Sequence, residues 1–351
     1  MSGRGRTRVG LIGAGFVAAR HAEILAGFDD VQLVAVADPV EQRARELAGR
    51  HDARPLADHV PLLENIAVDA LFICVPPFAR GAPELAAVRR RLPFFVEKPL
   101  AADLRTAERI AEALAATKLP TAVGYHWRYL ESTRRARALL ASRPVRLVQA
   151  SWFDTTPSSS WWSRAELSGG QMVEQVTHLL DLARHLVGEV DEVYGAAGDP
   201  GARPVGAGAP RGPAAGGDAA VSPACAAVLH FASGALGVVS ATCALGHKFG
   251  AGLQLFCDGL AVEFSEFGLR AEAGDDELVD ELRSCAAQRP GIRRAARAAQ
   301  DRDFVDAVRG KPSQVRVGYQ EALRTHRLAV AVARSTLRGR PVRVGGQVSG
   351  G

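Results

Sequence analysis

Short apolar runs alternate with longer amphipathic stretches over the first 125 residues of the chain. The runs at 9–12, 32–37, 70–75, 94–96 and 121–125 have strand length and read as buried strands. Between them, 40–49, 83–91 and 104–116 repeat apolar positions at helical spacing, and a helix after the first strand buries Ala22 and Leu25. Such alternation predicts an α/β fold with a doubly wound parallel sheet of the Rossmann type, whose ligands bind at the carboxyl ends of the strands.

The pattern changes further along. Residues 219–247 contain no Asp, Glu, Lys or Arg, a stretch long enough to span a bilayer. Pro223, Ser233-Gly234 and Gly237 interrupt it, and His230, Ser240 and Thr242 lie within it, so it reads as two strands joined at Ser233-Gly234. A helical run at 293–308 would pack through Phe304, Val305 and Val308. Residues 195–223 hold no Leu, Ile or aromatic residue and predict a long loop between strands, while 1–6 and 345–351 predict disordered ends. A chain of 351 residues exceeds one ordinary core. The expected domains are 1–124 and 125–344, with 345–351 as a tail.

The first strand runs into Gly13-x-Gly15-x-x-Ala18. Gly13 permits a tight turn, Gly15 lets a pyrophosphate approach the backbone, and Ala18 lets the helix pack closely on the strand. Phosphates would then meet the helix N-terminus, with Phe16 and Val17 in the same turn beside the cofactor. Asp38 ends the second strand, where a carboxylate can bind both ribose hydroxyls and repel a 2′-phosphate. NAD(H) is therefore favoured, with NADP(H) as the alternative; the competing role for Asp38 is a cap ahead of Pro39. Val75-Pro76-Pro77, Glu97-Lys98-Pro99 and Gly124-Tyr125-His126 fall at three other strand ends, and their agreement marks a site.

Composition sharpens one of these residues. Positive charge is carried almost wholly by arginine, and lysine occurs only at 98, 118, 248 and 311. A lysine at a strand end can have its pKa lowered, as arginine cannot, and can polarise a carbonyl or relay a proton. The plainer role is an ion pair with Glu97.

With 47% hydrophobic and 23% charged residues the chain is globular in type. Its net charge of +5 comes from 43 basic and 38 acidic residues spread throughout. The clusters Arg89-Arg90-Arg91 and Arg293-Arg294 lack interleaved aromatics, so no nucleic-acid partner is expected. Arg4, Arg6 and Arg8 before an apolar run superficially resemble a signal peptide, but the glycines at 10, 13 and 15 fit the cofactor turn better. Five scattered cysteines without a C-x-x-C point to a reducing compartment. The histidines fall in no ligand pattern with them, so no metal is expected. A cytoplasmic protein without membrane contact is expected.

With these motifs in this order, the chain resembles the Gfo/Idh/MocA oxidoreductase family. The resemblance implies a C-terminal α/β domain with a large, mostly antiparallel open sheet, and assembly as a homodimer or homotetramer. It places Arg128 at the family's usual arginine in the segment GYHWRY, and likens WSRAELSGG (162–170) to the lead into the active-site helix. GQMVEQVTHLLDLAR (170–184) is similar to that helix, with its acid, histidine and aspartate at Glu174, His178 and Asp181. Three positions depart from the family: Glu174 where Asp is frequent, Val176 where Gly is frequent, and Arg80 where His is frequent.

Spacing bears on the same residues. Separations of four and three put Glu174, His178 and Asp181 on one face of a helix. A carboxylate one turn before a histidine can orient the ring and stabilise its protonated form, as a base that takes a hydroxyl proton requires. A surface pair without catalytic duty has the same spacing. Trp162 offers an aromatic face to a sugar ring, or simply packs. His21 reads as structural.

As the resemblance implies, the activity is NAD(H)-dependent hydride transfer between nicotinamide and a secondary alcohol or ketone of a sugar, cyclitol or related polyol. Lys98 would contact the reacting oxygen and the cofactor ribose, His178 would exchange the hydroxyl proton, and Glu174 would orient His178. Val75, Pro76 and Glu97 would join the cofactor site. Tyr125, Arg128, Trp162, His178 and Asp181 would meet substrate. Two alternatives are glycoside cleavage through transient oxidation and elimination with the cofactor recycled, and a nucleotide-bound sensor without turnover. A sensor would need neither Lys98 nor His178.

Overall fold

The computed structural model describes residues 5–198, 220–274, 277–282 and 285–344. The chain forms two compact units: Met1–Ala101, Arg105–Tyr129 and Pro290–Leu323 make the first, and Ala102–Leu104, Leu130–Arg289 and Arg324–Gly351 the second. The boundary expected at 124/125 lies near one crossing, but the first unit is discontinuous and takes back a segment close to the C-terminus.

In chain order the N-terminal part forms β1 (Thr7–Ile12), α1 (Phe16–Ala26), β2 (Val31–Ala37), α2 (Glu41–Gly49), β3 (Arg54–Leu56), α3 (His59–Asn65), β4 (Ala70–Ile73), α4 (Ala82–Arg89), β5 (Phe94–Val96), α5 (Leu104–Ala115) and β6 (Thr121–Val123). The strands make one parallel sheet in the order β3-β2-β1-β4-β5-β6. The sheet's central residues are apolar on both faces, as a strand covered on both sides requires. Val9, Leu11, Val36, Phe72 and Phe95 are buried with Ala18, Ala22 and Leu25 of α1.

The remainder forms α6 (Glu131–Leu140), β7 (Val145–Phe153), α7 (Ala165–Ser168), α8 (Gln171–Glu174), α9 (Thr177–Val187), β8 (Val190–Ala197), β9 (Ala224–Phe231), β10 (Leu236–Thr242), β11 (Gly250–Cys257), β12 (Leu260–Ser265), β13 (Gly268–Ala273), β14 (Glu277–Leu282), α10 (Arg289–Val308), α11 (Tyr319–Arg338) and β15 (Val342–Arg343). The second sheet has nine strands in the order β14-β13-β12-β11-β7-β10-β9-β8-β15. Only β7 and β10 run parallel; the other pairs are antiparallel. One face is packed and the other is open: buried and exposed residues alternate along β9, and Tyr194, Leu236 and Val238 remain 46%, 45% and 40% exposed.

β9 and β10 join at Ser233-Gly234, where Gly234 takes φ +84°. α10 supplies Phe304 and Val305, both fully buried, to the core of the first unit, with Val308 packed at its edge. β3 and α3 fall in a stretch left unassigned by the apolar pattern. The loop expected at 195–223 starts later, because β8 runs to Ala197. Residues 199–219 lie outside the described residues, as do 1–4 and 345–351. Among the described residues, no helix is long and apolar enough to cross a membrane.

Candidate active site

In the first unit, the ends of β1, β2, β4, β5 and β6 carry the residues singled out above. Gly13 turns the chain at φ +96°, and its N–H donates to the Ala37 carbonyl at 2.7 Å. A Cβ there would stand 2.7 Å from the Cys74 carbonyl oxygen, so the turn needs glycine. At Gly15 a Cβ would meet no protein atom within 4 Å. Gly15 also begins α1 without a side-chain cap. An open space before free helix N–H groups suits an anion such as a pyrophosphate. Ala18 is fully buried, and Phe16 and Val17 are 71% and 38% exposed.

Asp38 is 7% exposed. Its Oδ2 accepts the Ala14 N–H and its Oδ1 the Val40 N–H, each at 2.8 Å. The carboxylate therefore caps locally and braces the glycine turn, and each oxygen keeps a second lone pair for a ribose hydroxyl. After β4, Val75 and Pro76 lead to Arg80, which turns inward. Its Nη1 donates to the Ile73 carbonyl at 2.8 Å and lies 3.7 Å from Glu84 Oε1. Burial pushes the Glu84 carboxyl above its ordinary value, and Arg80 offsets part of that rise.

The end of β5 holds the densest network. Glu97 Oε2 accepts the Lys98 backbone N–H at 3.1 Å, and Glu97 Oε1 lies 3.1 Å from His21 Nε2. On its other side His21 Nδ1 lies 2.8 Å from Asp301 Oδ2. Beyond β6, Gly124 makes room for the same carboxylate: a Cβ there would stand 2.5 Å from Glu97 Oε1. His21 thus touches the motif that carries Lys98. Its partners come from positions 76 and 280 residues away, beyond the reach of any local pattern. Tyr125 is fully buried. Arg128, expected at substrate, is 4% exposed, and its Nη2 donates to Glu321 Oε1 at 2.9 Å.

The helix expected to carry Glu174, His178 and Asp181 is not continuous. α8 ends at Glu174 and α9 starts at Thr177; at the join the Val176 N–H reaches back five residues to the Gln171 carbonyl at 3.1 Å. That widened turn interrupts the regular α-helical hydrogen bonding between Glu174 and His178, while His178 and Asp181 share α9. Glu174 Oε2 accepts the indole N–H of Trp162 at 2.9 Å. Trp162 is 1% exposed, which favours packing, the second of its two readings. Asp181, also 1% exposed, accepts from Thr325 Oγ1 at 2.9 Å; Arg184 Nη1 donates to the same Thr325 oxygen at 2.7 Å. This network ties α9 to α11.

His178 is 5% exposed, and its ring lies parallel to that of Trp152. Lys248 Nζ stands 4.5 Å from the Trp152 ring centroid and 3.8 Å from Asp154 Oδ2. Sequence reasoning passed over Trp152 and Lys248, although the scarcity of lysine that marked Lys98 applies equally to Lys248.

Two family models match the chain. The family model described as an oxidoreductase family with an NAD-binding Rossmann fold matches residues 7–125, and that of the GFO/IDH/MocA C-terminal domain matches 133–261. Myo-inositol 2-dehydrogenase of Thermotoga maritima is 27% identical over 248 residues, covering 66% of this chain and 67% of its own. Inositol 2-dehydrogenase 4 of Saccharopolyspora erythraea is 32% identical over 189 residues, covering 52% and 54%. The match thus spans two thirds of the first relative and about half of the second. Among solved structures, levoglucosan dehydrogenase in complex with NADH superposes with a TM-score of 0.82 over 97% of this chain and 99% of that one, at 18% identity.

Proposed function

The chain belongs to the Gfo/Idh/MocA oxidoreductase family, and from that premise we propose that it is an NAD(H)-dependent dehydrogenase acting on a secondary alcohol or ketone of a sugar, cyclitol or related polyol. The observation that carries the reading is the pairing of the Gly15 opening with the braced Asp38 carboxylate. Gly13, Gly15 and the start of α1, with Phe16 and Val17, hold the pyrophosphate; Asp38 takes the adenosine ribose and disfavours NADP(H). Val75, Pro76 and Glu97 line the nicotinamide half. When bound, the nicotinamide supplies the hydride acceptor or donor.

The chain's own residues handle the oxygen and its proton. Lys98 donates to the reacting oxygen and stabilises negative charge developing on it. His178 accepts the hydroxyl proton as a general base, and Trp152 holds its ring. Glu174, held by the Trp162 indole, orients His178. Tyr125, Arg128 and Asp181 act by holding this framework. The enzyme works in the cytoplasm, in keeping with its five free cysteines. It assembles as a homodimer or homotetramer through the open sheet face, where Tyr194, Val228 and Val238 stand in register.

The test is fluorescence titration with NADH and NADPH, paired with absorbance assays over a panel of polyols and keto-sugars. Preferential NADH binding, with turnover lost in Lys98→Ala and His178→Ala, is expected. Failure to bind either nucleotide would overturn the reading. Binding without net cofactor consumption would favour the recycled-cofactor reaction.

A further inference from the structure

His21 is fully buried, and no step assigned above uses it. Its ring sits against Phe72 and Phe95, with centroids 5.5 and 4.9 Å away, and both nitrogens meet carboxylates. A neutral imidazole has one N–H to give and one lone pair that faces an anion unfavourably; an imidazolium satisfies both contacts. We propose that His21 is a positioning residue for Lys98, an imidazolium held by Asp301 that keeps the Glu97 carboxylate ionised and fixed against the Lys98 backbone. The assignment rests on the reading of Lys98 as the group that meets the reacting oxygen.

Carboxylates face His21 from two elements. Glu97 follows β5, α10 presents Asp301, and just past β4 stands the half-buried Cys74, whose thiol is pushed well up by burial and by Glu97. The cations in range are Lys98 and His126 about Glu97, Arg297 about Asp301 and Arg80 about Cys74. Burial alone would strip the His21 proton, but Asp301 and Glu97 override it and raise the group to about 10. Burial likewise works to raise Glu97, yet His21, Lys98 and His126 hold it below its ordinary value. Replacing His21 with a neutral amide removes the main counter-charge, so the Glu97 carboxyl should take up a proton within the neutral range.

The small number of lysines makes this readable without turnover. Reductive ¹³C-methylation keeps the charge and gives few signals, with Lys98 assigned by its loss in Lys98→Arg. Between about pH 5 and 8 the Lys98 signal should be flat in the native protein. In His21→Gln it should show a titration step, and in His21→Gln/Glu97→Gln that step should vanish. A flat signal in His21→Gln overturns the proposal, as would ring-nitrogen spectra showing a neutral His21 at pH 8. On any substrate found, His21→Gln should add an acid limb of about tenfold per pH unit that is absent in the Glu97→Gln background. Loss of turnover equal at every pH, with a lowered Tm, would reduce His21 to a structural role. If neither nucleotide binds while the Lys98 step appears, the dehydrogenase reading fails and the His21–Glu97 coupling stands.

Discussion

The imidazole of His178 lies parallel to the indole of Trp152, with ring centroids 6.2 Å apart and 15° between the planes. The same indole receives the Lys248 ammonium at 4.5 Å. A stacked aromatic face restricts rotation of the imidazole. Trp152→Leu should lower kcat about three- to tenfold while leaving NADH affinity unchanged, whereas Trp152→Phe should stay within about twofold. Steady-state kinetics with NADH titration check both, and equal losses in the two variants would remove the stacking argument.

Asp181 separates a framework role from a substrate role. Removing its carboxylate leaves the Thr325 hydroxyl proton without its acceptor in a buried region, so Asp181→Ala should cost about 1–3 kcal/mol in urea denaturation. A variant with native stability and a raised KM would instead mark Asp181 as a substrate ligand.

The two glycines of the first turn should fail differently. Gly13→Ala forces a Cβ against the Cys74 carbonyl at positive φ, and loss of soluble folded protein is expected. Gly15→Ala meets only open space in the protein, so its Tm should hold. Its Cβ would occupy the pyrophosphate position, and NADH affinity should fall about tenfold or more. Thermal melts and NADH titration distinguish them; unchanged NADH binding in Gly15→Ala would move the phosphate site elsewhere.

Acid sensitivity should trace in part to Asp30. Its carboxylate meets Arg302 at 2.7 Å, Arg309 at 3.3 Å and Lys311 at 3.4 Å. The hydrogen bond from Arg302 holds it below the usual carboxylate range against the opposing effect of burial, with Lys311 and Arg309 adding to the depression. A carboxyl depressed in the folded state stabilises above its unfolded value and loses that contribution as pH falls through its folded value. Asp30→Asn should therefore cost about 1 kcal/mol at neutral pH, a figure already reduced for solvent screening. The difference from the native protein should shrink as pH is lowered through the carboxylate range, and denaturant titrations at several pH values measure it.

How far the sequence could be read depended on whether the governing contacts were local. The β1–α1 turn was legible because Gly13, Gly15 and Ala18 form a recognisable spacing within six residues, although the Cys74 carbonyl that excludes a Cβ at Gly13 lies far along the chain, and the β9–β10 hairpin because Ser233-Gly234 punctuates two apolar runs. β3 escaped because Arg54-Pro55-Leu56 is a short edge strand without alternation. α3 carried a signal that went unused, the Asp58 cap whose Oδ1 accepts the Val60 N–H. The break between α8 and α9 has no Gly or Pro to announce it. Periodicity correctly marked Phe304 and Val305 as a buried face, but it cannot say which core receives that face. For the same reason His21 read as ordinary: its charge state depends on Glu97 and Asp301, which only the folded chain brings to it.

The return of α10 to the first unit has a consequence for how the protein is made. Phe304 stands edge-on to Phe72, with centroids 5.4 Å apart at 78°, and packs beside Phe95 within the sheet's core. Those strands leave the ribosome early, whereas Phe304 follows the last of them by about 180 residues, roughly ten to forty seconds at ordinary rates of synthesis. Through that interval the emerging sheet has an apolar gap on one face and a buried-type histidine without its Asp301. The nucleotide-binding half is thus translated ahead of the helix that completes its core, and apolar surface stays uncovered until α10 arrives.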